Sequence, residues 1–291
     1  MAMRGVVEKI PGRVFFCSKA DLHTVTQLKS AERLFLLLSK AEPISLPNNP
    51  GVYERDFSRL SRIIGMAIKE DLGWKVDLRE PVLEVNAYLS DDHCIVGIPL
   101  LKHPLASRTY MKHNGLHSTI AWAMTSLCPK KLIDCVILDP MCGVDAVLLE
   151  AAQEYSVRKH TSHILNSTCN FSHTIPLADG AVDAVLCDVP FGRKFSCSSD
   201  MPCLMREMEM VLRVGGHLVL LLSLQLSVHS EMSNTPVLIS SLQTQRTHRV
   251  SLGSTDAFIH IYTKTQTHTM KTRLYTYTPK LKHTHTEISS P

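Results

Sequence analysis

Three short stretches of the chain stay apolar from one residue to the next, and two of them run straight into a polar turn. Cys135-Val136-Ile137-Leu138 ends in Asp139-Pro140-Met141-Cys142-Gly143, Ala184-Val185-Leu186-Cys187 ends in Asp188-Val189-Pro190-Phe191-Gly192, and His217–Ser223 is the third. A strand without alternation is buried on both faces, as in a parallel sheet covered by helices on either side. Helical stretches separate these strands: His117–Leu127 first, then Val144–Glu154, then Met201–Leu212, stopped by Gly215-Gly216. Ala257–Tyr262 reads as the last strand. Strands alternating with helices over residues 113–263 predict an α/β, Rossmann-like domain.

The region ahead of it reads as smaller α+β pieces. In residues 1–42, Gly12 precedes a short apolar strand, Val14–Cys17, and Ser30 offers an N-cap for a helix carrying Leu34, Leu37 and Leu38. Pro43, Pro47, Pro50 and Gly51 mark residues 43–53 as a linker. From residue 54 to 112, Phe57, Leu60, Ile64 and Ala67 fall at helical spacing before Gly73, and Leu83, Val85, Ala87 and Leu89 alternate like a half-buried strand. Asp91-Asp92 turns the chain into a second strand, Cys94–Ile98. Residues 264–291 repeat Thr and His without apolar period and predict a disordered tail.

Composition narrows the function classes. With 291 residues, 44% hydrophobic and 20% charged, the chain matches an ordinary globular protein. It has no apolar stretch long enough to span a bilayer, and no partnership with a membrane is expected. Met1–Lys19 lacks the apolar run of a secretion signal. Nine cysteines, none spaced CxxC, argue for reduced thiols in a cell and against a zinc ribbon or disulfide scaffold. The net charge of +4 divides into +3 on residues 1–112, −3 on 113–263 and +4 on the tail, so charge alone does not decide for nucleic acid. Neither GxxxxGK[ST] nor GxSxG occurs, which leaves phosphoryl transfer and serine hydrolysis without a motif.

The two polar turns carry the chemistry. Ligands of open α/β sheets bind beyond the carboxyl ends of the strands, where both turns lie. Asp139, Cys142 and Gly143 offer a carboxylate and a close backbone approach. In the second turn Asp188 and the Pro190 carbonyl can accept both N–H bonds of a planar amine, while Phe191 stacks on its ring. Such a grip orients the amine lone pair toward a methyl donor. The turn by itself leaves open a guanine N2, an adenine N6 or a side-chain amide.

The run Gly115–Met124 (GLHSTIAWAM), DPMCG at 139–143, DVPFG at 188–192 and REMEMVLRVGG at 206–216 resemble, in that order, the THUMP-domain RNA guanine-N2 methyltransferases. The resemblance implies a class I methyltransferase sheet, S-adenosylmethionine as cofactor and a structured RNA as substrate (a small nuclear RNA, with tRNA as the other option). Residues 54–112, including Val96–Leu100 and Ser107–Tyr110, resemble the THUMP region that grips RNA. Carried over, Asp139, Cys142, Gly143 and Thr119 line the cofactor, Asp188, Pro190 and Phe191 hold the target guanine, and Arg108 and Lys112 are candidate phosphate contacts. The target is expected single-stranded or flipped. The family also implies a small zinc-containing activator protein as partner, no metal on this chain, and an intracellular compartment, the nucleus with the cytoplasm as the other option.

Three departures set further expectations. Where the family continues Gly-x-Gly-Thr, this chain has Gly143-Val144-Asp145-Ala146. The 28 residues 156–183 are fewer than the roughly 30–45 that two strands, a helix and their linkers require, predicting a sheet that lacks its full second strand and the acid that would bind ribose, with Val136–Leu138 left at an edge or paired by some of residues 164–171. Residues 43–53 show no first THUMP strand. Together they describe a shortened or variant form, with an RNA- or partner-binding protein of impaired catalysis as the alternative to an active enzyme.

Overall fold

The computed structural model describes residues 7–10, 12–43, 50–77, 79–90, 92–128, 135–154, 164–166, 175–190, 201–224, 226–227, 241–253 and 255–266. A hairpin opens the chain: β1 (Val7–Ile10) pairs with β2 (Arg13–Phe16) about Gly12, whose φ of 73° suits the tight turn. Asp21 caps the short helix α1 (Leu22–Val25), its carboxylate accepting from the Thr24 amide.

Leu37 and Leu38, expected on a helix capped by Ser30, lie instead in a strand. β3 (Phe35–Ala41) pairs antiparallel with β5 (Cys94–Pro99), and β4 (Asn86–Leu89) pairs with the other edge of β5. A short apolar run has no decisive period, and an apolar partner strand settles it. One sheet therefore joins residues from both sides of the expected boundary at 42–43, so the separate 1–42 piece is corrected. The helix expected after it is α2 (Pro50–Leu72), with Pro50 in its first turn and Gly73 following at φ 67°. Residues 50–53, expected in a linker, are its first turn.

The α/β domain holds α3 (Ser118–Ser126), β6 (Ile137–Asp139), α4 (Ala146–Glu154), β7 (Ile164–Asn166), β8 (Val182–Asp188), α5 (Met201–Val211), β9 (Leu212–Ser223), β10 (Leu242–Leu252) and β11 (Thr255–Lys264). Its six-stranded sheet runs β10-β11-β9-β8-β6-β7. The four strands β7, β6, β8 and β9 are parallel, and β11 and β10 close the other side antiparallel. Alternate residues of β9 enter different cores. Val219 and Leu221 pack with Ala121, Met124, Val147 and Leu148 of α3 and α4, while Leu218, Leu220 and Leu222 pack with Met205 and Met208 of α5. Both faces are thus covered, the arrangement that the unbroken apolar runs require.

Of the two outcomes expected for Val136–Leu138, the pairing holds: β6 is flanked by the three residues of β7, with Ile164 opposite Ile137 and Asn166 opposite Asp139. Among the described residues no further strand lies beyond it. β10 had no counterpart in the sequence reading, and β11 extends to Lys264, whose ammonium donates to the carbonyls of Glu209 and Leu212 at 2.6 and 2.7 Å. Lys264 therefore belongs to the sheet rather than to the tail, most of which (267–291) lies outside the described residues. No helix among the described residues is long and apolar enough to cross a membrane.

Candidate nucleotide and cofactor site

The parallel pairing of β6 with β8 brings the two polar turns side by side at the carboxyl edge of the sheet. Asp139 is the last residue of β6 and Asp188 the last of β8. Asp139 is buried, and its Oδ1 accepts from the Met141 amide at 3.0 Å. Burial, with smaller contributions from Asp188 and Asp145, pushes its carboxyl up to about 7. Burial likewise lifts Asp188 to about 6. The Cys142 thiol rises to about 11, from burial first and then from its hydrogen bond to Asp145.

Asp145 is the only described non-glycine residue with positive φ, at 64°. Its amide donates to the Cys142 carbonyl at 2.8 Å, closing the turn that carries the chain into α4. The left-handed region is disfavoured for a side chain, though an aspartate tolerates it better than most. The glycine of the resembling pattern would meet no such cost.

Two cavities meet at these turns. A smaller one of about 230 Å³ is lined by Asp139, Met141, Cys142, Gly143, Val144 and Asp188, among others. Gly115 packs against it so closely that a Cβ there would lie 2.1 Å from Val144 Cγ2. A larger cavity of about 600 Å³ takes in Asp188, Pro190, Thr119, Glu32, His117 and the Ser251–Gly253 hairpin tip. Gly115, Leu116 and Asp188 line both, so the two spaces adjoin. The size of the larger suits a small ligand or a nucleoside.

The structure brings most of the expected residues together. Asp139, Cys142 and Gly143 line the smaller cavity, and Asp188 and Pro190 line the larger. Thr119, expected beside the cofactor, lines the larger cavity instead. Phe191 lies outside the described residues. Arg108, expected at a phosphate, is committed elsewhere: Nε donates to Glu150 Oε1 at 3.1 Å, Nη2 to the Lys29 carbonyl at 2.7 Å, and Nη1 to the Leu105 carbonyl. Its side chain is 9% exposed and that of Glu150 0%, so this is an interior ion pair. Lys112 is exposed. Glu32, His117 and the hairpin tip were missed. His117 sits inside the quoted GLHSTIAWAM run, whereas nothing in the local sequence marks Glu32.

The donor set fits the methionine end of S-adenosylmethionine: carboxylates for a cationic amine, and an exposed Gly143 for close backbone approach. Asp145 fits less well, because its charge opposes a carboxylate brought to the same turn. Phe171, which stands about where the resemblance would place a polar adenine contact, lies outside the described residues.

Comparison with known proteins agrees with this geometry. Residues 106–169 match the RMKL-like methyltransferase domain family. Over 183 residues the chain is 42% identical to U6 snRNA (guanine-N(2))-methyltransferase THUMPD2 of Mus musculus, covering 56% of this chain and 34% of that protein. Over 203 residues it is 31% identical to tRNA (guanine(6)-N(2))-methyltransferase THUMP3 of Mus musculus, covering 55% of this chain and 39% of that protein. These are homologues, and the chain spans about a third of the length of the first, THUMPD2. The crystal structure of TrmN from Thermus thermophilus superposes with a TM-score of 0.64 at 18% identity, over 87% of this chain and 89% of that one. The fold is that of class I methyltransferases.

Proposed function

We propose that this homologue of guanine-N2 RNA methyltransferases transfers a methyl group from S-adenosylmethionine to N2 of a guanosine in a structured RNA, a U6-type small nuclear RNA before a tRNA. The observation that carries the reading is the adjoining pair of cavities, one edged by Asp139–Gly143 and one by Asp188 and Pro190, with Asp188 shared. When bound, the cofactor supplies an electrophilic methyl carbon on a sulfonium sulfur. Asp188 and the Pro190 carbonyl accept the two amine hydrogens and turn the nitrogen lone pair toward that carbon. Asp188, when ionised, would accept the proton that the amine sheds on methylation. A carboxyl near 6 is ionised at neutral pH yet basic enough for that task.

Phe191 would stack on the base and Lys112 would meet a backbone phosphate. The THUMP-like region, residues 54–112, would present the RNA, with the nucleus as the matching compartment. A small zinc-containing activator is the partner implied by the resemblance; co-purification of such a protein with the chain checks it.

Methyl transfer from labelled cofactor to RNA tests the reading. Asp188→Ala removes the acceptor and should lower the rate by about a hundredfold or more; equal rates contradict the assignment. Asp145 favours a second reading, in which the chain binds RNA but holds cofactor weakly. Calorimetry decides it, micromolar cofactor affinity ruling it out.

A further inference from the structure

The cavity edged by Asp188 and Pro190 contains a second acid. Glu32 reaches it from the loop ahead of β3, and that loop is fastened to the α/β domain. The Lys29 carbonyl accepts from Arg108, the Lys29 ammonium meets Glu154 at 3.4 Å, and the Glu32 carbonyl accepts from the Ala106 amide at 3.3 Å. Glu154 also accepts from Trp122 Nε1 of α3 at 3.1 Å. The carboxylate of Glu32 is itself supported: His117 Nε2 lies 2.8 Å from Oε2, and His117 Nδ1 lies 2.9 Å from Thr119 Oγ1. Donation from Nε2 to Glu32 leaves Nδ1 of a neutral imidazole to accept from the Thr119 hydroxyl. His117 and Thr119 line the same cavity as Glu32, Asp188 and Pro190.

The chemistry of that lining selects among ligand groups. Two carboxylates on one cavity repel a phosphate and favour an edge rich in donors. Guanine has such an edge, with N1–H beside the exocyclic amine. Once Asp188 and Pro190 hold the amine, N1–H still needs an acceptor, and a carboxylate offers about four lone-pair sites, only one of which faces His117. 2-Aminopurine presents the same amine but an N1 lone pair, which a carboxylate repels.

We propose that Glu32, held in place by His117, reads the N1–H of the target base and is a specificity-determining residue that selects guanine. This deepens, and rests on, the proposed reading of Asp188 and Pro190.

The test uses the full chain and three dye-labelled oligouridine probes carrying one central guanine, inosine or 2-aminopurine, followed by fluorescence anisotropy. Inosine keeps N1–H and lacks the amine; 2-aminopurine keeps the amine and lacks N1–H. The unaltered chain should prefer guanine over 2-aminopurine by about tenfold or more. Glu32→Gln, whose amide both accepts and donates, should bring that ratio within about twofold while the guanine-to-inosine ratio stays unchanged. Equal affinity for guanine and 2-aminopurine, or a preference that Glu32→Gln leaves intact, overturns the role of Glu32. A lost preference over inosine with the preference over 2-aminopurine intact overturns the reading of Asp188 and sustains that of Glu32. Binding of none of the probes overturns both.

Discussion

A single carboxylate decides between the two readings of the site. Asp145 occupies a left-handed position, at φ 64°, in the turn beside Asp139 and Cys142. Replacing it by glycine removes the backbone cost but frees the unfolded chain, so stability should change by no more than about 1 kcal/mol. Removing the charge should nevertheless tighten S-adenosylmethionine by about tenfold, the scale of one like-charge contact in a half-buried site. Calorimetry on Asp145→Gly checks this, and an unchanged affinity would show that Asp145 does not oppose the cofactor. The acids themselves were legible in the sequence because each ends an unbroken apolar run. Their neighbours were legible less evenly. Arg108 read as a phosphate contact, since nothing in Ser107-Arg108-Thr109-Tyr110 announces that Glu150, 42 residues on, is buried and waiting for it.

That ion pair joins elements. Arg108 ties the loop after β5 to α4 through Glu150, and Tyr110 donates to the same Oε1 at 2.9 Å, its phenol pushed up to about 12 by burial and then by Glu150. Arg108→Met strands a buried carboxylate and should cost about 3 kcal/mol or more in urea unfolding, most of it regained when Glu150→Met is added. An Arg108→Met variant of unchanged stability that loses RNA affinity would restore the phosphate role instead. Other elements were legible according to how much of their energy is local. The α3, α4 and α5 helices and the β6, β8 and β9 strands follow from periodicity and turns. β3 reads as a helix until β5 pairs with it. β10, mostly exposed, carries Thr, Gln, Arg and His on both faces, so it has no apolar alternation to betray a strand. Its place comes from the β11 edge, which its Thr residues suit.

At the scale of the whole molecule, the carboxyl edge of the sheet gathers acids at some cost to folding. Asp139 near 7 and Asp188 near 6 hold protons in the folded state that the unfolded chain has already released above about 4. Their contribution therefore lowers stability as pH rises between about 4 and 7. Urea midpoints should be higher at pH 5 than at pH 7.5, and Asp139→Asn should shrink the difference; a midpoint that rises in parallel for both proteins would contradict the burial of Asp139. The six-stranded order was only partly foreseen. The short 156–183 interval pointed to a reduced second strand with some of residues 164–171 beside Val136–Leu138, and three of them pair with β6.

In the proposed reaction Asp188 and Pro190 hold the N2 amine of guanine toward a methyl donor. Incubating the full chain with labelled S-adenosylmethionine and U6-type RNA, then digesting the RNA to nucleosides and resolving them by mass spectrometry, tests it most directly. Label is expected on N2-methylguanosine and is expected to be lost with Asp188→Ala. Label on adenine N6, or no labelled nucleoside from a chain that binds both cofactor and RNA, would contradict it.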